Sequence, residues 1–91
     1  ELAPDVPSVE NTLGWVLYRK GLYGMAIPHL EKAATNEPSA LRKCHLAMAY
    51  IEMGDQERGQ QSLLAAMKLD PNLPELKNAQ MLLDKKQARE R

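Results

Sequence analysis

Three side chains in the sequence could take part in chemistry: His29, Cys44 and His45. A cysteine thiolate becomes a catalytic nucleophile when an imidazole lies within hydrogen-bond distance of it. Cys44 and His45 are neighbours in the sequence, and on a helix neighbouring side chains point about 100° apart. We therefore interpret them as a half-buried cysteine and a surface histidine, and we expect no catalytic residues.

Other patterns of reactive residues point the same way. The sequence has no glycine-rich phosphate loop, no H-E-x-x-H motif and no paired cysteines. Its histidines and its cysteine also lack the spacing of metal ligands. We expect neither a metal nor a cofactor, and we predict that the chain is not an enzyme.

The composition is typical of a small, helical and neutral domain. Among the 91 residues, Lys and Arg number 12, Asp and Glu number 12, and there is no Phe. Leu, Ala, Met and Val supply most of the apolar content, which favours helices over sheets. Zero net charge indicates no general attraction to nucleic acid, and no apolar run is long enough for membrane insertion. We expect a soluble domain, either cytoplasmic or facing the periplasm or cell envelope.

The sequence repeats itself at the 33-residue separation of Gly21 and Gly54. In this alignment, LGWVLYRKGLYGMAIPHLEKAATNEPS lies over LAMAYIEMGDQERGQQSLLAAMKLDPN, and Pro38 meets Pro71. The opening ELAPD corresponds to TNEPS and KLDPN, which end the two units. We interpret residues 1–7 as the tail of a preceding repeat.

Each unit is predicted to form two helices. Apolar residues recur three and four positions apart, which gives each helix one apolar stripe. Gly21 and Gly54 can adopt the left-handed conformation that ends a helix. Asp55 is a good N-cap, whereas Leu22 in the equivalent place cannot cap. The predicted helices span 8–20, 23–36, 39–53, 56–69 and 73–87. The stripe of the last helix consists of Leu76, Ala79 and Leu83.

These features resemble the tetratricopeptide repeat (TPR), whose period is near 34 residues and whose pattern is W-x2-L-G-x2-Y, then A-x3-F, then P. In the first unit, the residues at the L-G, Y, A, F and P positions of this pattern are Leu13, Gly14, Leu17, Ala26, Leu30 and Pro38. In the second unit, the residues at the same positions are Leu46, Ala47, Tyr50, Gly59, Leu63 and Pro71. The resemblance implies an all-α, right-handed α-α superhelix of two helical hairpins, 8–38 and 39–72, with a C-terminal capping helix and polar tail over 73–91. TLGWVLYRKG also resembles bacterial multi-repeat TPR proteins.

Three residues depart from the family pattern. Glu10 and Lys43 stand where the first helix of a unit usually has an aromatic residue, and Gly59 replaces the usual alanine. A glycine in the middle of a helix costs roughly 1 kcal/mol relative to alanine. We expect these departures to lower stability without changing the fold.

The resemblance also implies where a protein or peptide partner binds. In this family, the exposed sides of the first helices line a concave groove. Here they carry Asn11, Trp15, Tyr18, Leu41, Cys44, His45, Met48 and Ile51. Several of these are large and apolar, so we interpret the surface as a groove for a peptide or helix. The alternative is that Trp15 and Met48 pack on each other as core. The family's carboxylate clamp is not expected, because Asn11 and Trp15 stand where it needs Lys and Asn.

Two functions agree with this interpretation. The first is a non-catalytic scaffold that binds a protein segment in its groove. The second is a structural spacer or assembly segment of a longer repeat array, with no ligand in the groove. The identity of the partner is not encoded in any pattern of the sequence.

The first helix carries a second apolar face. Val9 and Val16 are seven residues apart and therefore nearly aligned, with Thr12 and Leu13 between them. Natural repeat arrays end in polar caps, and this face is not polar. We expect the second helix of a preceding unit to cover this face, and without that helix we predict a homodimer through Val9, Thr12 and Val16 at high protein concentration, with two-fold symmetry because one patch then serves both subunits. Adding the upstream helices should abolish this dimer.

Overall fold

The computed structural model describes residues 6–89. This part of the chain contains five helices: α1 (Val6–Arg19), α2 (Tyr23–Asn36), α3 (Ala40–Glu52), α4 (Gln56–Leu69) and α5 (Glu75–Arg89). One helical hairpin consists of α1 and α2, and a second consists of α3 and α4. The two hairpins stack through α2 and α3, and α5 packs on α3 and α4. The described residues thus form the predicted all-α arrangement of stacked hairpins.

All five helices lie within two residues of the predicted bounds. The largest differences are at α1, which begins at Val6, and at α5, which spans Glu75–Arg89. Two residues of the predicted tail 1–7 are therefore helical. Residues 1–5 lie outside the described residues, so the assignment of ELAPD to a preceding repeat stays a prediction.

The turns inside the two hairpins have the predicted chemistry. Gly21 and Gly54 have φ angles of 81° and 90°, in the left-handed region that favours glycine. The Asp55 carboxylate caps α4 by accepting a hydrogen bond from the backbone N–H of Arg58 at 3.2 Å. Leu22, at the start of α2, makes no side-chain cap. The difference between the two hairpins follows directly from the residue types.

The apolar core has two parts. The first joins α2 to α3 and contains buried Ala26, Leu30 and Ala49, with Leu17, Tyr18, Ile27 and Leu46 packed around them. The second joins α3, α4 and α5 and contains Cys44, Ala47, Ile51, Leu63, Ala66, Ala79 and Leu83. The predicted stripe of α5 is confirmed, because Ala79 and Leu83 are buried and Leu76 packs against them.

A polar cluster explains the departure at Glu10. Its carboxylate, half-buried between α1 and α2, lies 2.6 Å from Nδ1 of His29 and 3.6 Å from Nζ of Lys32. The hydrogen bond to His29 lowers the pKa of Glu10 below its usual value. At this position an ion pair therefore replaces the aromatic contact of the family pattern.

Gly59 marks a close approach of α3 and α4. A Cβ atom at this position would lie 2.5 Å from Cγ1 of Ile51 and 3.2 Å from the carbonyl oxygen of Ala47. Ile51 is fully buried and cannot move aside. In this packing, glycine is therefore the residue that fits, whereas its predicted effect on stability stays a prediction.

We expect Gly59→Ala to destabilise the protein by about 1–3 kcal/mol through overpacking, despite the higher helix propensity of alanine. Gly24→Ala is the matched control on α2. A Cβ there would meet only the side chain of Met53, at 3.8 Å, so this change should be neutral or stabilise by up to about 1 kcal/mol. Urea denaturation followed by circular dichroism measures both, and equal effects of the two changes would contradict the close approach.

Candidate functional site

Cys44 and His45 are both buried, which corrects the predicted half-buried cysteine and surface histidine. The Cys44 side chain is fully buried, and its Sγ lies 3.5 Å from the carbonyl oxygen of Glu75 on α5. Burial raises the pKa of the Cys44 thiol to about 11. At neutral pH this group is a protonated thiol, so its environment is that of a packing residue.

Three rings stack at the joint between α1 and α3. The ring of Trp15 lies parallel to that of Tyr18 with centroids 4.5 Å apart, and to that of His45 with centroids 3.8 Å apart. Tyr23, at the start of α2, meets Tyr18 at a tilt of 58°. Trp15 therefore forms ring stacks with Tyr18 and His45, whereas the sequence offered Met48 as its packing neighbour.

His45 is held in its neutral form. Its side chain is 8% exposed, and burial lowers its pKa to about 4, while the nearby charge of Glu75 acts in the opposite direction. Nδ1 of His45 and Oδ1 of Asn11 are buried without a hydrogen-bond partner among the described residues. A buried unpaired polar group costs about 1–3 kcal/mol, so each of these two atoms lowers the free energy of unfolding.

An apolar groove runs across α1, α3 and α5. Tyr18 of α1 and Met48 of α3 line one part of it. The rest is lined by α5 residues, namely Asn78, Met81, Leu82, Asp84 and Lys85. The groove has a volume of about 480 Å³, and Met81 on its wall is 67% exposed. Its size and apolar lining suit side chains of another molecule.

The described residues show neither a metal site nor a membrane-spanning helix. Residues 6–89 contain no group of three or more His, Cys, Asp or Glu side chains that could hold a metal ion. None of the helices from α1 to α5 is long and apolar enough to cross a bilayer.

Residues 42–73, which include most of α3 and all of α4, match the family model described as tetratricopeptide repeat. This segment is a tetratricopeptide repeat. The five helices of the chain have the TPR-type all-α fold that the sequence resemblance implied. TPR units are typically non-catalytic scaffolds for protein–protein interaction. Comparisons with curated proteins and with solved structures gave no match.

The observed groove differs in part from the predicted one. Tyr18 and Met48 line it, but Cys44 and Ile51 are fully buried in the core. The prediction of Cys44 and Ile51 as groove residues is therefore wrong. The physical reason is that Ile51 faces Gly59 of α4 and Cys44 lies against α5.

The other predicted groove residues lie around the ring stack or at the surface. His45 is buried in the joint between α1 and α3, beside half-buried Trp15. Asn11 is half-buried, Leu41 is 37% exposed, and neither lines the groove. The structure thus brings Trp15 and His45 together in the joint, and Asn11 lies one helical turn before Trp15 on α1.

Sequence reasoning missed the contribution of α5 to the groove. It treated this helix as a cap and considered only the stripe that packs on the second hairpin. Met81 was the available signal, because it is a large apolar residue outside that stripe. Asn78 lies three residues before Met81 and Lys85 lies four residues after it, which places all three on one face of the helix.

The outer surface of α1 is apolar and open. Val9 is 59% exposed, and Leu13 and Val16 are each 44% exposed. Together with Thr12 they line a shallow depression, and we call these four residues the α1 face. Leu13, predicted to belong to the packing stripe as well, lies mainly on this outer face. The α1 face is thus exposed, and its role in self-association stays a prediction.

Proposed function

We propose that this protein is a scaffold that binds an apolar segment of a partner protein, a peptide or a helix, in the groove. One observation supports this most directly: Tyr18, Met48, Met81 and Leu82 meet around a single open groove. Exposed apolar surfaces of this kind commonly mark interaction sites. Methionine side chains are flexible and adapt to the shape of a bound segment.

The charges around the groove indicate what kind of segment fits. Asp84 and Lys85 lie on the same wall and have opposite signs. Lys86 and Glu52 pair at 3.2 Å between α5 and α3. These charges balance, so the groove favours neither strongly acidic nor strongly basic partners. Recognition would depend on one or two bulky apolar side chains of the partner entering between Tyr18 and Met81.

The proposed site combines sequence and structure. Tyr18 and Met48 are retained from the sequence interpretation as groove residues, and Met81 and Leu82 are added from α5. Asn11, Trp15 and Leu41 do not line the groove, and their contact with a partner stays a prediction. We also propose that residues 8–38 and 39–72 act as the two repeat units and 73–91 as the cap and tail. In this arrangement the cap forms one wall of the binding groove.

We expect Met81→Glu to weaken partner binding at least about tenfold, because a carboxylate buried in an apolar contact costs more than 1.4 kcal/mol. Met81 is a better site for this substitution than Met48, because Met48 packs against the core and its replacement would also change stability. Peptides selected from a random library on the immobilised protein would serve as ligands. Trp15, the single tryptophan, would report their binding by fluorescence.

Met25→Glu is the matched control for this experiment. Met25 lies on α2 and is 59% exposed, close to the 67% of Met81, and it does not line the groove. Its substitution should leave peptide affinity unchanged. Equal binding by Met81→Glu and the unchanged protein would reject the groove as the site and favour the spacer function.

A second proposal concerns the α1 face. Its open apolar side chains support self-association of the chain as a homodimer, as Val9, Thr12 and Val16 suggested from the sequence. This contact is separate from the groove, since the two surfaces share no lining residue.

A further inference from the structure

We infer that Met81 is an oxidation site that controls the groove: a hydroperoxide converts its thioether to the sulfoxide, and the groove then loses affinity for an apolar segment. This inference rests on the proposed function, because it concerns the same groove, and it adds how binding there is turned off. The sulfur of Met81 attacks the O–O bond of the hydroperoxide and takes one oxygen atom. The sulfur is thereby oxidised by two electrons, and the hydroperoxide is reduced to an alcohol, or to water when it is hydrogen peroxide.

Met81 is the most accessible methionine among residues 6–89. It is 67% exposed, and the values for the other exposed methionines are lower: 59% for Met25, 53% for Met53 and 41% for Met67. Met48, the other methionine of the groove, is half-buried and packs against the core. A dissolved oxidant reaches an exposed sulfur more readily than a packed one, so Met81 should react before Met48.

The position of Met81 in the repeat couples its oxidation to binding. Met81 stands 33 residues after Met48, and Met48 stands 33 residues after Trp15. At this position α5 therefore presents a large side chain, as the first helices of both hairpins do. Met48 and Met81 line the groove together, whereas Met25 and Met53 do not line it. An oxygen atom added at Met81 thus lies where an apolar partner would make contact.

The neighbours of Met81 favour the oxidised side chain when the groove is empty. Asn78 and Lys85 lie on the same face of α5, three residues before and four residues after Met81, and both line the groove. Their amide and ammonium groups are hydrogen-bond donors, for which a sulfoxide oxygen is a much better acceptor than a thioether sulfur. An apolar segment bound on this face would separate that oxygen from water and from these donors. Burying a polar group without a hydrogen bond is unfavourable, so oxidation opposes binding.

The cysteine of the chain does not compete for the oxidant. Cys44 is fully buried, and burial raises the pKa of its thiol to about 11. The thiolate is the form of cysteine that oxidants attack, so Cys44 should stay unreacted at neutral pH. Oxidation can therefore change the groove while the core of α3, α4 and α5 stays packed.

Peptides selected on the unoxidised protein provide the ligands for a test, and calorimetry measures their affinity before and after treatment with hydrogen peroxide. Mass spectrometry of proteolytic fragments locates the oxygen added at each methionine. Oxidation should weaken binding at least about tenfold, with Met81 oxidised before Met48. The two methionine sulfoxide reductases, one for each sulfoxide epimer, should restore the affinity. Circular dichroism should show the same helicity before and after oxidation, because Met81 lies outside the core.

Met81→Leu identifies the site, and Met25→Leu is the matched control. Leucine has no sulfur and nearly conserves the volume, so Met81→Leu should bind the peptides within about twofold of the same affinity before and after oxidation. Met25→Leu should lose affinity on oxidation as the unchanged protein does. An equal loss in Met81→Leu, or full affinity after Met81 has been oxidised, would overturn this inference alone. Peptides whose affinity for the unoxidised protein does not change with Met81→Glu would overturn the proposed groove and this inference with it.

Discussion

Ile51→Ala is expected to destabilise the protein by about 2–5 kcal/mol, the range for removing a large aliphatic side chain from a packed core. Ile51 is fully buried among residues of α3, α4 and α5, and its Cγ1 faces Gly59. Truncation would leave a cavity that neither the rigid α3–α4 contact nor α5 can fill. Chemical denaturation at neutral pH, followed by circular dichroism, measures the effect.

Leu41→Ala is the informative comparison, because the sequence placed both residues in the groove. Leu41 is 37% exposed, and its truncation should cost less than about 1 kcal/mol. If Ile51→Ala were as mild as Leu41→Ala, then Ile51 would not be part of the core, and the predicted groove assignment would be restored.

The architecture was predictable because it depends on features that repeat within the sequence. Gly21 and Gly54 end the first helices in both hairpins, and their left-handed φ angles follow from that role. The Asp55 carboxylate caps the N-terminus of α4, whereas the Leu22 side chain has no acceptor and does not cap α2. Such local features act over a few residues, so they can be read from the sequence without knowledge of the neighbouring helices.

The groove was less predictable, because residues at the same repeat position have different neighbours. Tyr18 and Ile51 are 33 residues apart and equivalent by sequence, yet Tyr18 lines the groove and Ile51 is buried. The difference comes from the second hairpin, where Gly59 allows α4 to approach and α5 covers α3. Burial at these positions therefore depends on tertiary contacts that a single repeat pattern does not specify.

Gly59 and Glu10, which the sequence marked as departures that lower stability, also depend on contacts with other helices. Gly59 has a poor helix propensity, but it avoids a clash with Ile51. Glu10 replaces an aromatic residue, but its carboxylate pairs with His29 across the first hairpin. In both cases, the partner that explains the residue lies on another helix, beyond the reach of a propensity scale.

Stability should fall as the pH is lowered from 6.5 toward 4, and His45 should be a principal cause. Burial lowers its pKa from 6.5 to about 4 in the folded protein. Between these values the unfolded chain binds a proton at His45 and the folded chain does not, so acid favours unfolding. The full shift corresponds to at most about 3 kcal/mol, lost by pH 4. Glu75 of α5 partly opposes the shift.

His45→Phe separates this effect from the titration of carboxylates. Phenylalanine keeps an aromatic ring against Trp15 and removes the unpaired Nδ1. Glu10, whose pKa is lowered, contributes stability that is lost only as the pH falls through and below 4.5, and it is present in both proteins. Urea denaturation at pH 7, 5.5 and 4 should therefore show a loss of stability in the unchanged protein that is larger by about 2–3 kcal/mol than in His45→Phe. Parallel pH profiles would show that His45 is not buried as a neutral ring beneath Trp15, and that the joint between α1 and α3 has another basis.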